Sequence, residues 1–224
     1  MTEPTSETEL LERANKLAGL ALGTLAARLS IPVPEDLKRQ KGWVGMLLEK
    51  ALGAVAASRA EPDFLQLGIE LKSLPVDHRG RPVESTFVCS IALPEIADIE
   101  WEESRAWKKL RRVLWVPVQG KKEIAPADRV IGAPLLWSPG ESERMVLRSD
   151  WLQLSAMIAE GRTAEITGHL GEALQVRPKA ARGSSRRLAF DEDGAIYDEQ
   201  PKGFYLRPSF TRALLEKHFV LPHE

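Results

Sequence analysis

Apolar residues stand at helical spacing near the start of the chain, where Leu10, Ala14, Leu17, Ala21 and Leu25 follow Ser6-Glu7-Thr8-Glu9. A Ser with a Glu three residues on has the spacing of a capping box, so the pattern predicts a helix over residues 6–29, stopped before Ile31-Pro32-Val33-Pro34. Pro34 suits a first helical position, and Glu35 and Asp36 complement the positive end of a helix. Together they predict a short helix over 34–39, broken at Lys41-Gly42. Residues 43–57 are apolar on nearly every side, which marks a buried helix, and Glu49 interrupts them.

Beyond Pro62 the pattern changes to short apolar runs separated by turn residues: 64–72, 73–76, a turn at Asp77-His78-Arg79-Gly80, and 83–93. These predict an antiparallel meander. A helix over 101–110 follows, then Val113-Leu114-Trp115-Val116-Pro117-Val118, apolar enough to be a central strand. Residues 141–160 form a second long helix in this reading, 174–177 and 204–206 are late strands, and 210–219 close the chain as an amphipathic helix. The stripe of Leu214, Leu215 and Phe219 on that helix suits either core packing or a partner. Residues 180–202, rich in Gly, Ser and charge, read as a surface loop or irregular hairpin. Helices, a mixed sheet and helices again give an α/β or α+β protein with one central sheet and no internal repeat.

Composition narrows the function. With 224 residues, 43% hydrophobic and 28% charged, the chain can bury a substantial core. It has no apolar run of about 18 residues that would span a membrane. Residues 1–10 carry three Glu and no basic region before an apolar stretch, so the expectation is a cytoplasmic protein. Cys89 is the only cysteine and the four histidines are scattered, which excludes the usual Cys/His zinc spacing and leaves oxygen as the main ligand for any metal. Neither a Walker A loop nor a Gly-x-Ser-x-Gly context occurs. The formal net charge of −1 argues against coating a polyanion by overall charge, yet two basic patches stand out. One contains Arg105, Lys108, Lys109, Arg111 and Arg112, and the other Arg177, Lys179, Arg182, Arg186 and Arg187.

The stretch from Asp63 to Lys72 carries the chemistry. If 69–74 is a strand, Glu70 and Lys72 share one face and Ile69 and Leu71 the other. Asp63, seven residues before Glu70, can fold back beside them. Two carboxylates, a backbone carbonyl such as that of Leu71, and waters suit Mg2+. Lys72 or the metal would then activate a water for in-line attack on phosphorus, as in a phosphodiesterase. The plain alternative is an exposed, salt-bridged strand. Glu49, an acid in an apolar helix, either faces a metal or a lysine, or sits at the rim beside Lys50.

Ordered blocks along the chain resemble the MutH family of DNA mismatch repair endonucleases: Lys41-Gly42-Trp43-Val44-Gly45, Leu47-Leu48-Glu49, Asp63 to Lys72 with Pro75-Val76-Asp77, Thr86-Phe87-Val88-Cys89, Arg112 to Val118, Pro134 to Pro139, Arg177-Pro178-Lys179-Ala180 and Gly203-Phe204-Tyr205-Leu206. The resemblance implies a restriction-endonuclease-like α/β fold with a central mixed sheet flanked by helices. Residues 1–224 would be a single endonuclease domain whose two lobes surround a DNA cleft, with a Mg2+-dependent site at its base. It further implies nicking of the unmethylated strand at hemimethylated GATC sites, activation by MutL and indirect dependence on MutS. By position, Asp63 and Glu70 would ligate Mg2+ and Lys72 would position or activate water. Glu49 would complete the acidic cluster, Lys109 would be a further active-site lysine, and Lys41 would lie near the scissile phosphate.

For recognition, the resemblance points to Arg177, Pro178 and Lys179 as base or groove contacts and to Tyr205 near the adenine whose methylation matters. Arg and Lys can donate to guanine O6 and N7, and an aromatic ring can gauge the adenine N6 edge. Phe87 and Glu84 are further candidates, the latter because a carboxylate accepts from the cytosine amino group. One catalytic cluster per chain predicts a monomer that cuts one strand. A dimeric restriction endonuclease making double-strand breaks, or a non-catalytic DNA-binding adaptor, are the competing readings. Near-neutral charge also predicts modest unassisted DNA affinity and hence a recruiting partner.

Overall fold

The computed structural model describes residues 2–55, 60–91, 96, 99–179, 187–190, 196–199 and 201–219. The chain divides into two compact units, one of Met1–Glu84, Arg111–Ser138 and Arg212–Glu224, the other of Ser85–Leu110 and Pro139–Thr211.

In the first unit, α1 (Glu7–Asn15) starts at Ser6, whose hydroxyl accepts from the Glu9 N–H at 3.2 Å. The return arm of the cap is displaced by one residue, because the Glu9 carboxylate accepts from the N–H of Thr5 at 2.8 Å. The single helix expected over 6–29 is broken after Asn15. Gly19 turns through φ +83° and its N–H donates to the Ile131 carbonyl, while Leu22 N–H donates to Arg129. Pairing of residues 19–22 with 129–131 takes the backbone groups a continuous helix would need, and α2 (Leu22–Arg28) starts afresh. The expected helix over 34–39 is a turn instead. The Asp36 side chain captures the N–H of Lys38 at 2.8 Å, a local bond that competes with helix. The buried helix α3 (Trp43–Leu52) ends five residues earlier than expected at Gly53, whose φ of +83° closes the cap.

The strand β1 (Glu70–Val76) pairs in parallel with β3 (Val113–Gln119), and β3 pairs antiparallel with β4 (Leu135–Trp137). The central position expected of β3 is observed, and all but its last residue are buried. Leu10, Leu22, Leu47, Leu48, Leu52, Phe64, Ile69 and Leu114 are fully buried where α1, α2 and α3 pack with this sheet. Each contributes roughly 1.5–3 kcal/mol relative to exposure.

The second unit has its own antiparallel sheet, with β8 (Lys202–Leu206) between β2 (Thr86–Ser90) and β5 (Leu174–Pro178). This corrects two expectations, the meander and the single central sheet. After the turn at 77–80, only an isolated bridge between Val76 and Pro82 continues the hairpin, and the chain then leaves for the other unit. The expected 101–110 helix is divided by Ser104, whose hydroxyl donates to the Trp101 carbonyl at 2.6 Å and accepts from Trp107 N–H at 3.0 Å. It therefore caps a shorter α4 (Arg105–Leu110). Helix α5 (Glu141–Ala159) buries Leu147, Trp151, Leu154 and Ile158, at the 4-3-4 spacing of one helical face. Trp101 packs on Trp107 and Trp151 with ring centroids 5.3 and 5.7 Å apart.

β6 (Arg187–Phe190) and β7 (Ile196–Glu199) pair antiparallel, and residues 180–186, 191–195 and 200 of the expected loop or hairpin lie outside the described residues. Helix α6 (Pro208–His218) buries Leu214 and Leu215, so those two serve the core rather than a docking surface. Among the described residues no helix is long and apolar enough to cross a membrane.

Candidate active site

The first constellation forms at the free edge of β1. Phe64 and Ile69 exchange backbone hydrogen bonds at 2.9 and 3.2 Å around a turn in which Gly68 has φ +65°. That turn folds Asp63 back along β1, where its Oδ2 accepts from the Leu71 N–H at 2.8 Å. Glu70 N–H, one residue earlier, points the opposite way and donates to Arg112 beside β3. The N–H and C=O of one strand residue face the same edge, so the Leu71 carbonyl shares the Asp63 edge. Glu70 is only 4% exposed, and its Oε1 accepts from Lys72 Nζ at 2.7 Å. Alternation along β1 thus places Glu70 and Lys72 on one face, as their spacing predicts, and the loop supplies the second carboxylate.

Glu49 lies half-buried in α3, one turn before its end, and has partners of its own. Among the described residues no group of three or more His, Cys, Asp or Glu stands together to hold a metal. The donor set is two carboxylates and the Leu71 carbonyl, all hard oxygens, which fits Mg2+ because that ion retains several waters and takes one or two carboxylates. Lys41 is exposed beside Gly42, which precedes α3. Lys109 lies in the second unit, in α4, and is 5% exposed, unusual burial for a lysine.

The first basic patch does not form one exposed surface. Lys109 is buried, and Arg112 is committed to Glu7, with Nε donating at 2.9 Å and Nη2 making a second short bond, and to Ser138.

The second constellation covers one face of the sheet made by β2, β8 and β5. Tyr205 on the central strand lies opposite Phe87 on one side and Gln175 on the other. The Phe87 and Tyr205 rings meet edge to face at 5.3 Å. The Arg177 guanidinium stands 5.8 Å from the Tyr205 ring centre, and Lys179 Nζ 5.1 Å from that of Phe87, both within cation–π range. Burial pushes the Tyr205 phenol above its ordinary pKa, and the Arg177 charge opposes part of that rise. Among the described residues no carboxylate pairs with either cation. Pro178 is exposed at the end of β5. Arg182 and Arg186 lie outside the described residues, and Glu84 is exposed at the last position before the chain enters this unit.

Sequence reasoning passed over the residues that hold this face in place. Ser85 Oγ accepts from Gln175 Nε2 at 2.8 Å and Arg177 Nη1 at 3.0 Å, and Ser90 Oγ accepts from Lys179 Nζ at 2.8 Å. Buried Asp150 accepts from the N–H groups of Glu172, Ala173 and Leu174 at 2.9, 2.6 and 2.8 Å, fixing the entry to β5. Arg207 donates to the carbonyls of Gly168, Leu170 and Gly171 in the preceding turn. Period-2 alternation back from Arg177 identifies Gln175; nothing local marks Asp150, which acts across more than twenty residues of sequence.

The model of the DNA mismatch repair enzyme MutH matches residues 52–150, a span that holds Asp63, Glu70, Lys72 and Lys109. The DNA mismatch repair protein MutH of Klebsiella pneumoniae strain 342 is 50% identical over 221 residues, covering 99% of this chain and 96% of its own. That of Vibrio parahaemolyticus is 49% identical over 218 residues, 97% of this chain and 96% of its own. That of Shewanella sp. strain ANA-3 is 47% identical over 216 residues, 96% and 97%. These alignments run through both constellations, the carboxylate edge of β1 and the cationic aromatic face of the second sheet, and the chain belongs to the MutH family of DNA mismatch repair enzymes.

Proposed function

We propose that the chain is a Mg2+-dependent endonuclease that binds double-stranded DNA and nicks the unmethylated strand at hemimethylated GATC sites. It acts in the cytoplasm as a monomer, activated by MutL and dependent indirectly on MutS. The observation that carries the reading is the edge of β1, where Asp63 is anchored on the Leu71 N–H while buried Glu70 holds Lys72.

Asp63, Glu70 and the Leu71 carbonyl would hold Mg2+, which when bound supplies positive charge to stabilise the transition state at the scissile phosphate. Lys72 donates to Glu70 through one of its three N–H bonds, leaving others to orient a water for in-line attack. Lys109 and Lys41 add positive charge near the phosphate, and Glu49 tunes the acidic side of the site. On the second sheet, Arg177 and Lys179 donate to guanine O6 and N7, Glu84 accepts from a cytosine amino group, and Pro178 lines the groove. Tyr205, braced by Phe87, gauges the adenine N6 edge. One such site per chain cuts one strand.

The test is strand-resolved cleavage of hemimethylated, unmethylated and fully methylated GATC duplexes in Mg2+ at low salt, with and without MutL and ATP, and with EDTA as control. Nicking confined to unmethylated strands and abolished by EDTA is the expected result. Double-strand breaks from a dimer would overturn the monomeric nickase. No cutting under any condition would overturn the catalytic reading.

A further inference from the structure

The two serines of the second sheet have a geometry that packing alone does not explain. β8 lies between β2 and β5, so Arg177 in β5 and Lys179 just after it reach across a whole strand to hydroxyls on the β2 side. Neighbouring strands are about 4.8 Å apart, so each side chain, its hydrogen bond and the serine together bridge roughly 10 Å. Gly203, the β8 partner of Arg177, has no side chain, which lets the Phe87 ring lie over β8. A Cβ there would lie 2.8 Å from the Phe87 ring and 2.9 Å from the Cys89 carbonyl oxygen.

Simple alternation would place Ser85, Phe87 and Cys89 on one face and send Ser90 to the other. The register instead shifts between Phe87 and Cys89, a β-bulge, so Val88 and Cys89 are both buried and Ser90 emerges on the Phe87 face. Both serines consequently face the two cations. The hydroxyl of Ser85 is itself fixed by Gln175, which is 7% exposed.

We propose that Ser85 and Ser90 are positioning residues that set sequence selectivity, holding Arg177 and Lys179 extended across β8 before DNA arrives. The inference rests on the reading of that face as the DNA-reading surface. A free arginine or lysine side chain must be ordered on binding, and ordering it beforehand is worth about three- to tenfold per side chain. Because a hydrogen bond to a guanine edge is directional, a cation that wanders also accepts wrong bases more readily.

The test compares Mg2+-dependent nicking by the wild type, Ser85→Ala, Ser90→Ala, Ser85→Thr and Arg177→Ala on a GATC duplex and on duplexes with one altered base, with the melting temperature of each. The expected result is that Ser85→Ala and Ser90→Ala each lower discrimination about three- to tenfold. The loss should fall on KM more than on kcat at an unaltered melting temperature, and Ser85→Thr, which keeps the hydroxyl, should restore it. Should Ser85→Ala melt early, Ser90→Ala carries the test from the half-buried end of β2. Unchanged discrimination in the alanine variants, with discrimination lost in Arg177→Ala, overturns the role of the serines alone. Unchanged discrimination in Arg177→Ala overturns the reading face, and this inference with it.

Discussion

Substitution of Lys72 separates what the buried ion pair does for stability from what it does for chemistry. Lys72→Met keeps most of the side-chain volume but removes the ammonium 2.7 Å from Glu70 Oε1, in a pair whose side chains are 11% and 5% exposed. Breaking a buried pair from one side costs about 3–5 kcal/mol, because the remaining charge has lost its partner. Glu70 makes other interactions, which places the expected cost near the lower end, about 3 kcal/mol. For a protein of this size that lowers the melting temperature by about 6–12 °C. Glu70→Gln in the same background removes the stranded charge. The double variant should return to within about 1 kcal/mol of wild type, a recovery of about 2 kcal/mol from Lys72→Met. Nicking responds differently. Each single variant should lose at least about 100-fold in single-turnover rate, and the double variant should not recover it, since both groups face the reacting phosphate in the proposed mechanism. Urea or thermal melts beside single-turnover nicking on hemimethylated duplex measure both quantities. Recovery of nicking in the double variant, or a cost below about 1 kcal/mol with full activity in Lys72→Met, would refute the reasoning.

Three further outcomes follow from other sites. Asp150→Ala strands the N–H groups of Glu172, Ala173 and Leu174 and should cost at least about 3 kcal/mol. Amide exchange at those three positions, if unaltered, would count against it. Gly203→Ala forces a methyl onto the Phe87 ring and the Cys89 carbonyl and should destabilise by about 1–3 kcal/mol in urea unfolding while weakening DNA binding. Burial pushes the Asp77 carboxyl up, but the N–H groups of Arg81 and Arg79 and the Arg81 charge outweigh it and hold it below the usual carboxylate range. Its folded value is lowered, so its contribution to stability is present above about pH 4 and lost as pH falls through the folded value. The gap in stability between wild type and Asp77→Asn should close in acid melts over that window.

Much of the active edge was legible in the chain. Glu70 and Lys72 are two apart in an apolar strand, so their common face follows from the pleat alone, and the very apolar run at 113–118 had to be central. The return of Asp63 was legible as a possibility, and the bridge between Phe64 and Ile69 decides it. Glu49 shows the limit: an acid in an apolar helix signals a special environment but not which carboxylates it joins, because that depends on helix placement.

What the sequence determined by itself was local: the Ser6 cap, the buried helix that starts at Trp43, the long α5, and the late strands at 174–177 and 204–206. Each rests on a period or on a backbone preference expressed over a few residues. Tertiary structure alone decided the break after Asn15, where pairing with 129–131 displaced a helix, and the parallel pairing of β1 with β3 in place of a meander. It alone decided the bulge that turns Ser90 toward Lys179 and the reach of Arg177 across β8 to Ser85. These depend on backbone groups finding partners tens of residues away, and the composition of a short window carries no record of which distant strand will satisfy them.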